Sequence, residues 1–269
     1  MNQPCRKTTC RRPDGFTLIE LIIVLVLLGI LGTMGADFIA LAFKGFSNTN
    51  ARTAIYEEGS LALLRLERDL HNAVPNAVMP TAAAGAAELR FGMIDEAAMG
   101  AGADRVFGLY TQPASEFPTW TLTDAEPTAT PAANRVISVY NRNWTDFAGG
   151  SRLFKTTAPA GPGPIMTFSE PITDPSPRQR YYMTDRVVRF RWDSGSKVLF
   201  RSRDQVTESG AGDFSTATEI PLATDVSSLV FYYAPGTLTR NGVVSVNFAI
   251  SRNNETVNFH KEINIRNAP

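Results

Sequence analysis

The chain has 269 residues, too long for a disulfide-stapled miniprotein and of a size for one large domain or two small ones. Hydrophobic residues make up 43% and charged residues 19%, which excludes global disorder, and 26 basic against 26 acidic residues give no reason to expect nucleic acid as a partner. With only Cys5, Cys10, His71 and His260, few groups exist for a Cys/His metal site or for general acid–base work, and no cofactor is expected.

The N-terminus carries Arg6, Lys7, Arg11 and Arg12, opposed only by Asp14. Residues 16–36 then read FTLIELIIVLVLLGILGTMGA, 21 residues with the single charge Glu20. A helix rising about 1.5 Å per residue covers roughly 30 Å there, the thickness of a bilayer's hydrocarbon core. The next basic residue is Lys44, so the positive-inside rule holds the N-terminus in the cytoplasm and exports the chain beyond the span. A plain signal anchor, or a secretory signal cut after Ala40-Leu41-Ala42, accounts for the run but leaves Glu20 unexplained. A carboxylate in an apolar span costs up to a few kcal/mol, less near the interface, and is usually paired or functional. Cleavage after Gly15 instead makes Phe16 the new N-terminus, with a positive amine four residues before Glu20 on about the same helical face.

The string Arg11-Arg12-Pro13-Asp14-Gly15-Phe16-Thr17-Leu18-Ile19-Glu20-Leu21 resembles the processing site of type IV prepilins and type II secretion pseudopilins. The resemblance implies that a membrane-embedded prepilin peptidase cuts after Gly15 and N-methylates Phe16. It implies that Glu20 attracts the terminal amine of a neighbouring subunit. It also implies as partners other pilin or pseudopilin subunits and an inner-membrane assembly platform. Electrostatics agrees, because two charges that are costly alone in lipid become less so together. Removing residues 1–15 takes away both cysteines, four basic residues and one acidic residue, leaving 22 basic against 25 acidic. The exported domain must then fold without disulfides.

Beyond the span, Gly45 and Ser47-Asn48-Thr49-Asn50 predict an interruption or softening of the helix. Helical periodicity returns with Ile55, Gly59, Leu63, Leu66, Leu70 and Ala73 on one stripe, and Pro75 is expected to end this continuation over residues 37–75. Residues 76–269 read as a β-rich exported head. Pro80 to about Asn134 is rich in Ala, Gly, Pro and Thr, predicting variable loops with short strands near Glu88–Gly92 and Arg105–Tyr110. Val136–Tyr140 and Ser227–Tyr233 read as strands.

A hairpin is expected between Val188-Phe190-Trp192 and Val198-Phe200. Pairing the apolar sets puts Trp192 opposite Val198, Phe190 opposite Phe200, and Asp193 opposite Lys197 across Ser194-Gly195-Ser196, unless a bulge supplies the offset. That register sets Arg189 against Arg201, on a solvated face or a docking face for another subunit. The chain closes on a second hairpin, with Val244, Val246, Phe248 and Ile250 inward, a turn at Arg252-Asn253-Asn254-Glu255, and Val257, Phe259, Ile263 and Ile265 returning. The expected fold class is α+β: a long N-terminal helix, transmembrane then amphipathic, packed on an antiparallel sheet.

Three stretches, residues 68–76, 177–185 and 263–269, resemble minor pilins of the mannose-sensitive haemagglutinin type pilus. A J-type minor pseudopilin of type II secretion remains an alternative in the same class, and a signal-anchored periplasmic binding module one outside it. Catalysis has little support. Gly100-Ala101-Gly102 is followed by Arg105 where a dinucleotide fingerprint needs its third glycine, and there is no Walker-type Gly-Lys-Ser/Thr or Gly-x-Ser-x-Gly elbow. His71 falls on a predicted helix end and His260 on a polar strand face. Asp204, Glu208 and Asp213 in a Gly- and Ser-containing segment are weak candidates for calcium, matching no EF-hand spacing.

Overall fold

A computed structural model describes residues 15–80, 85–95, 107–111, 119–122, 134–157, 165–168, 170–172 and 174–265. The leader residues Arg6, Lys7, Arg11 and Arg12, both cysteines, the start of the predicted Arg105–Tyr110 strand and the loosest loop stretches lie outside these.

Helix α1 (Leu18–His71) starts after Thr17, whose hydroxyl oxygen accepts the Glu20 N–H at 3.4 Å while its carbonyl accepts those of Glu20 and Leu21. Thr17 thus serves as N-cap, satisfying donors that the first helical turn leaves without intrahelical partners. All side chains through Asn50 are exposed. The predicted break at Gly45 does not occur. A single glycine costs only about 1 kcal/mol relative to alanine in a helix, and the Thr49 hydroxyl folds back onto the Gly45 carbonyl at 3.0 Å instead of competing for a turn.

From Ala51 onward α1 becomes one-sided. Ile55, Gly59, Ala62, Leu66, Asp69 and Leu70 are buried, with Ala62 rather than the half-buried Leu63 on the inner line. Gly59 is required by close approach, since a Cβ there would sit 2.1 Å from the Phe259 ring. The helix stops at His71, four residues before Pro75. Pro75 disfavours helical backbone at Val74, and Ala73 and Val74 are already extended in β1 (Ala73–Met79). Without an N–H, Pro75 falls where the β1 ladder shifts register, beside Asn76 at φ 58°.

The next strands are β2 (Glu88–Ile94), β3 (Gly108–Thr111), β4 (Thr119–Leu122) and β5 (Val136–Ser138). After the short helix α2 (Trp144–Ala148) come β6 (Leu153–Lys155), β7 (Ile165–Thr167), β8 (Arg180–Asp193), β9 (Val198–Thr207), β10 (Gly210–Ala211) and β11 (Ile220–Ala223). The last three are β12 (Val226–Ala234), β13 (Val243–Arg252) and β14 (Glu255–Asn264). Among the described residues they form a branched antiparallel sheet centred on β8, with β2, β3, β5 and β9 as its neighbours, and a separate β12-β13-β14 meander. This is the expected α+β class.

One core joins the buried line of α1 to both sheets, through Phe91, Val188, Phe190 and Leu199 on one side and Phe231, Val246, Phe248 and Phe259 on the other. A second core, with Tyr110, Ile137, Phe147, Met183 and Val187, lies on the opposite face of β8. The final hairpin has its predicted turn, with Asn253 and Asn254 both at positive φ as a two-residue type I′ connection requires.

The β8–β9 register differs from expectation by one residue. Asp193 pairs with Val198, Trp192 with Leu199, Phe190 with Arg201 and Arg189 with Ser202. Lys197 takes left-handed backbone at φ 56° and joins the turn, while the Asp193 carboxylate accepts the Gly195 and Ser196 N–H groups. Val198 and Phe200 therefore turn away from the helix, and Leu199 and Arg201 turn toward it. On the β9 side Arg189 faces Ser202 and not Arg201, while on the β2 side it faces Arg90. It bonds Ser202 and Glu219, lies 4.5 Å from the Phe214 ring centroid and is 13% exposed, so it is not on a solvated face.

Candidate processing and assembly site

Gly15, Phe16 and Thr17 precede the helix in extended or irregular backbone, and all three are exposed. A Cβ on Gly15 would meet nothing within 4 Å. Phe16 is 77% exposed. Glu20 occupies the first turn, where a carboxylate is favoured by the helix dipole, and among the described residues it forms no ion pair. Thr17 and Glu20 have the spacing of a capping box, a signal the chemical reading of Glu20 overlooked.

The helix behind this site is apolar on every side. Leu18, Ile22, Leu25, Leu28, Leu31, Ile39, Phe43 and Phe46 are all at least half exposed. None of its most apolar eighteen-residue window is buried, which distinguishes it from the core helix of a globular domain. It is long and apolar enough to cross a membrane.

The other candidates do not assemble into a site. Both oxygens of Asp204 accept backbone N–H groups, from Gln205 and Phe214, each at 2.8 Å. Glu208 lies 3.6 Å from the Lys155 ammonium, and Asp213 accepts the Ser215 N–H at 2.9 Å. Asp204 thus anchors the loop ahead of β11, and among the described residues no group of three or more His, Cys, Asp and Glu side chains is placed to hold a metal. His71 is the last residue of α1, and His260 is exposed on β14 with Nδ1 2.5 Å from Asn247 Oδ1.

The residues that sequence reasoning missed are charged and inside. Asp69, on the last turn of α1, meets Arg201 of β9 at 2.5 Å, and the two side chains are 3% and 5% exposed. Arg65 and Arg203 approach the same carboxylate at 3.6 and 4.0 Å. On the other face of the large sheet Glu219 receives hydrogen bonds from Arg189 and Arg191, and the Arg191 bond holds its carboxyl below the usual range. Glu58 of α1 is likewise lowered. Burial pushes it up, but the Thr224 N–H and the Arg252 guanidinium outweigh that.

Residues 10–36 match the family described as the prokaryotic N-terminal methylation motif, about a tenth of the chain. No curated protein and no solved structure matches the chain. The matched segment contains Gly15, Phe16, Thr17, Glu20 and the whole apolar run over residues 16–36, and it supports an N-terminus of the type IV prepilin and pseudopilin kind.

Proposed function

We propose that this chain is a minor, pilin-like structural subunit. A membrane-embedded prepilin peptidase cuts it after Gly15 and N-methylates Phe16. It waits in the bacterial inner membrane, N-terminus cytoplasmic and head periplasmic, oriented by Arg6, Lys7, Arg11 and Arg12. It then enters a pilus by packing its helix among those of other pilin subunits. The observation that carries this reading is the methylation motif over residues 10–36 joined to a helix that leaves its apolar side chains exposed through Phe46.

Glu20 is the assembly residue in this account. Its carboxylate is costly in lipid and becomes less so beside the positive N-terminus of an adjacent subunit, so assembly and register are coupled to one ion pair. The finer reading, a minor pilin of the mannose-sensitive haemagglutinin type such as MshO, rests on the resemblance of residues 68–76, 177–185 and 263–269.

Two substitutions test the proposal in cells. Gly15→Leu has room in the structure and should leave full-length precursor in the membrane. Glu20→Val should be processed normally yet be missing from sheared fibres. Normal incorporation of the Glu20→Val protein would refute the role given to the carboxylate.

A further inference from the structure

A cavity of about 320 Å³ opens beside β9, between the strand and residues 216–218, lined by Arg186, Arg203, Asp204, Gln205, Thr216 and Thr218 among others. In the β8–β9 ladder Arg186 faces Gln205 and Val188 faces Arg203, so both arginines project from one face of the sheet. Arg201 lies two residues further along that face, and Arg65 reaches it from α1. Three guanidiniums, those of Arg65, Arg201 and Arg203, are therefore gathered around the single carboxylate of Asp69, and Arg186 beside them donates to Asp185 at 2.9 Å. Like charges so arranged repel, and Arg203 is held below its usual pKa first by burial and then by Arg201.

Two further observations concern hydrogen bonding. Among the described residues Arg203 Nε and Arg201 Nη2 are buried without an acceptor. Asp204, the acidic group in the cavity wall, already has both oxygens on backbone N–H groups. Of Arg201 and Arg203 only Arg203 belongs to the cavity wall, and an oxyanion there would meet its guanidinium and offset the three positive charges grouped on one carboxylate.

We propose that this cavity is an oxyanion-binding site, taking a carboxylate or phosphate-type group against Arg203 and Arg186, with the Thr216 and Thr218 hydroxyls as further donors. Planar, two-pronged donors suit such groups, and a cavity of this size admits an inorganic anion or the tip of an acidic side chain.

The test uses the full-length chain in detergent, titrated at constant ionic strength with inorganic phosphate, with N-acetylglutamate α-amide, or with chloride as control. Binding is followed by calorimetry and by thermal unfolding monitored through tryptophan fluorescence. Saturable binding of phosphate or of the capped glutamate is expected, weakened at least ~10-fold by Arg203→Gln, as loss of a charge-assisted bond predicts. Preference for phosphate identifies a free oxyanion, and preference for the glutamate identifies an acidic side chain of a protein. Arg186→Gln alters a half-exposed side chain and decides the matter if Arg203→Gln does not fold. Both probes behaving like chloride, or unchanged affinity in Arg186→Gln and Arg203→Gln, would overturn the proposal.

Discussion

Replacing Asp69 by leucine, Arg201 by methionine, and both together, perturbs the ion pair that joins the last turn of α1 to β9. Asp69→Leu strands Arg201, 5% exposed, in the core and removes the carboxylate that Arg65 and Arg203 also approach. An uncompensated buried charge of this kind costs about 3–5 kcal/mol. Arg201→Met leaves Asp69 within 3.6 Å of Arg65 and 4.0 Å of Arg203, so its cost should be smaller, about 1–3 kcal/mol. The double replacement fills similar volume without charge and should unfold close to the parent. Urea unfolding in detergent, read through tryptophan fluorescence, reports on the head. Trp192 packs against the core and its indole N–H bonds Val226 at 3.1 Å. At an m-value of about 2 kcal/mol/M, Asp69→Leu should lower the midpoint by about 1.5–2.5 M, with the double variant recovering most of it. Equal costs for the two single variants, or additive costs in the double, would refute the reasoning.

The Glu219 clamp makes a pH prediction. Its folded pKa is depressed by Arg191, so its stabilisation is present above the unfolded value and lost as pH falls through the folded one. Glu219→Gln should lower the melting temperature at pH 7, with the gap narrowing as the pH is taken down through the carboxylate range; a gap independent of pH would contradict this. Gly59→Val drives a side chain into Phe259, which stacks on Phe248 with centroids 4.7 Å apart, and should destabilise the head by about 1–3 kcal/mol in the same urea assay. A neutral Gly59→Val would mean that α1 does not hold the approach described.

Legibility in the sequence depends on how far apart the determinants lie. The final hairpin is readable because strict alternation from Val244 to Ile250 and the Asn253-Asn254 turn are both local signals. The start of α1 is readable for the same reason, its charge, glycine and apolar run lying within one short window. The β8–β9 register is misread because apolar Val198 and Phe200 invite an inward assignment. The inward residue is Arg201, made tolerable only by Asp69, 132 positions earlier. A buried charge whose partner comes from another element leaves no periodic trace. The helix end is misplaced because Pro75 acts on the residue before it, while burial of Ala73 and Val74 in β1 has already taken them from the helix. Asp204, Glu208 and Asp213 look like a cluster in sequence, but each is committed to a different neighbour.

Entry of the subunit into a fibre depends on processing between Gly15 and Phe16. Tandem mass spectrometry of the N-terminal peptide, from the chain isolated from membranes of a cell that carries a prepilin peptidase, tests it most directly. A chain beginning at N-methylated Phe16 is expected. A chain that retains Met1 and its basic leader, or one beginning at Phe43 after secretory cleavage, would contradict it.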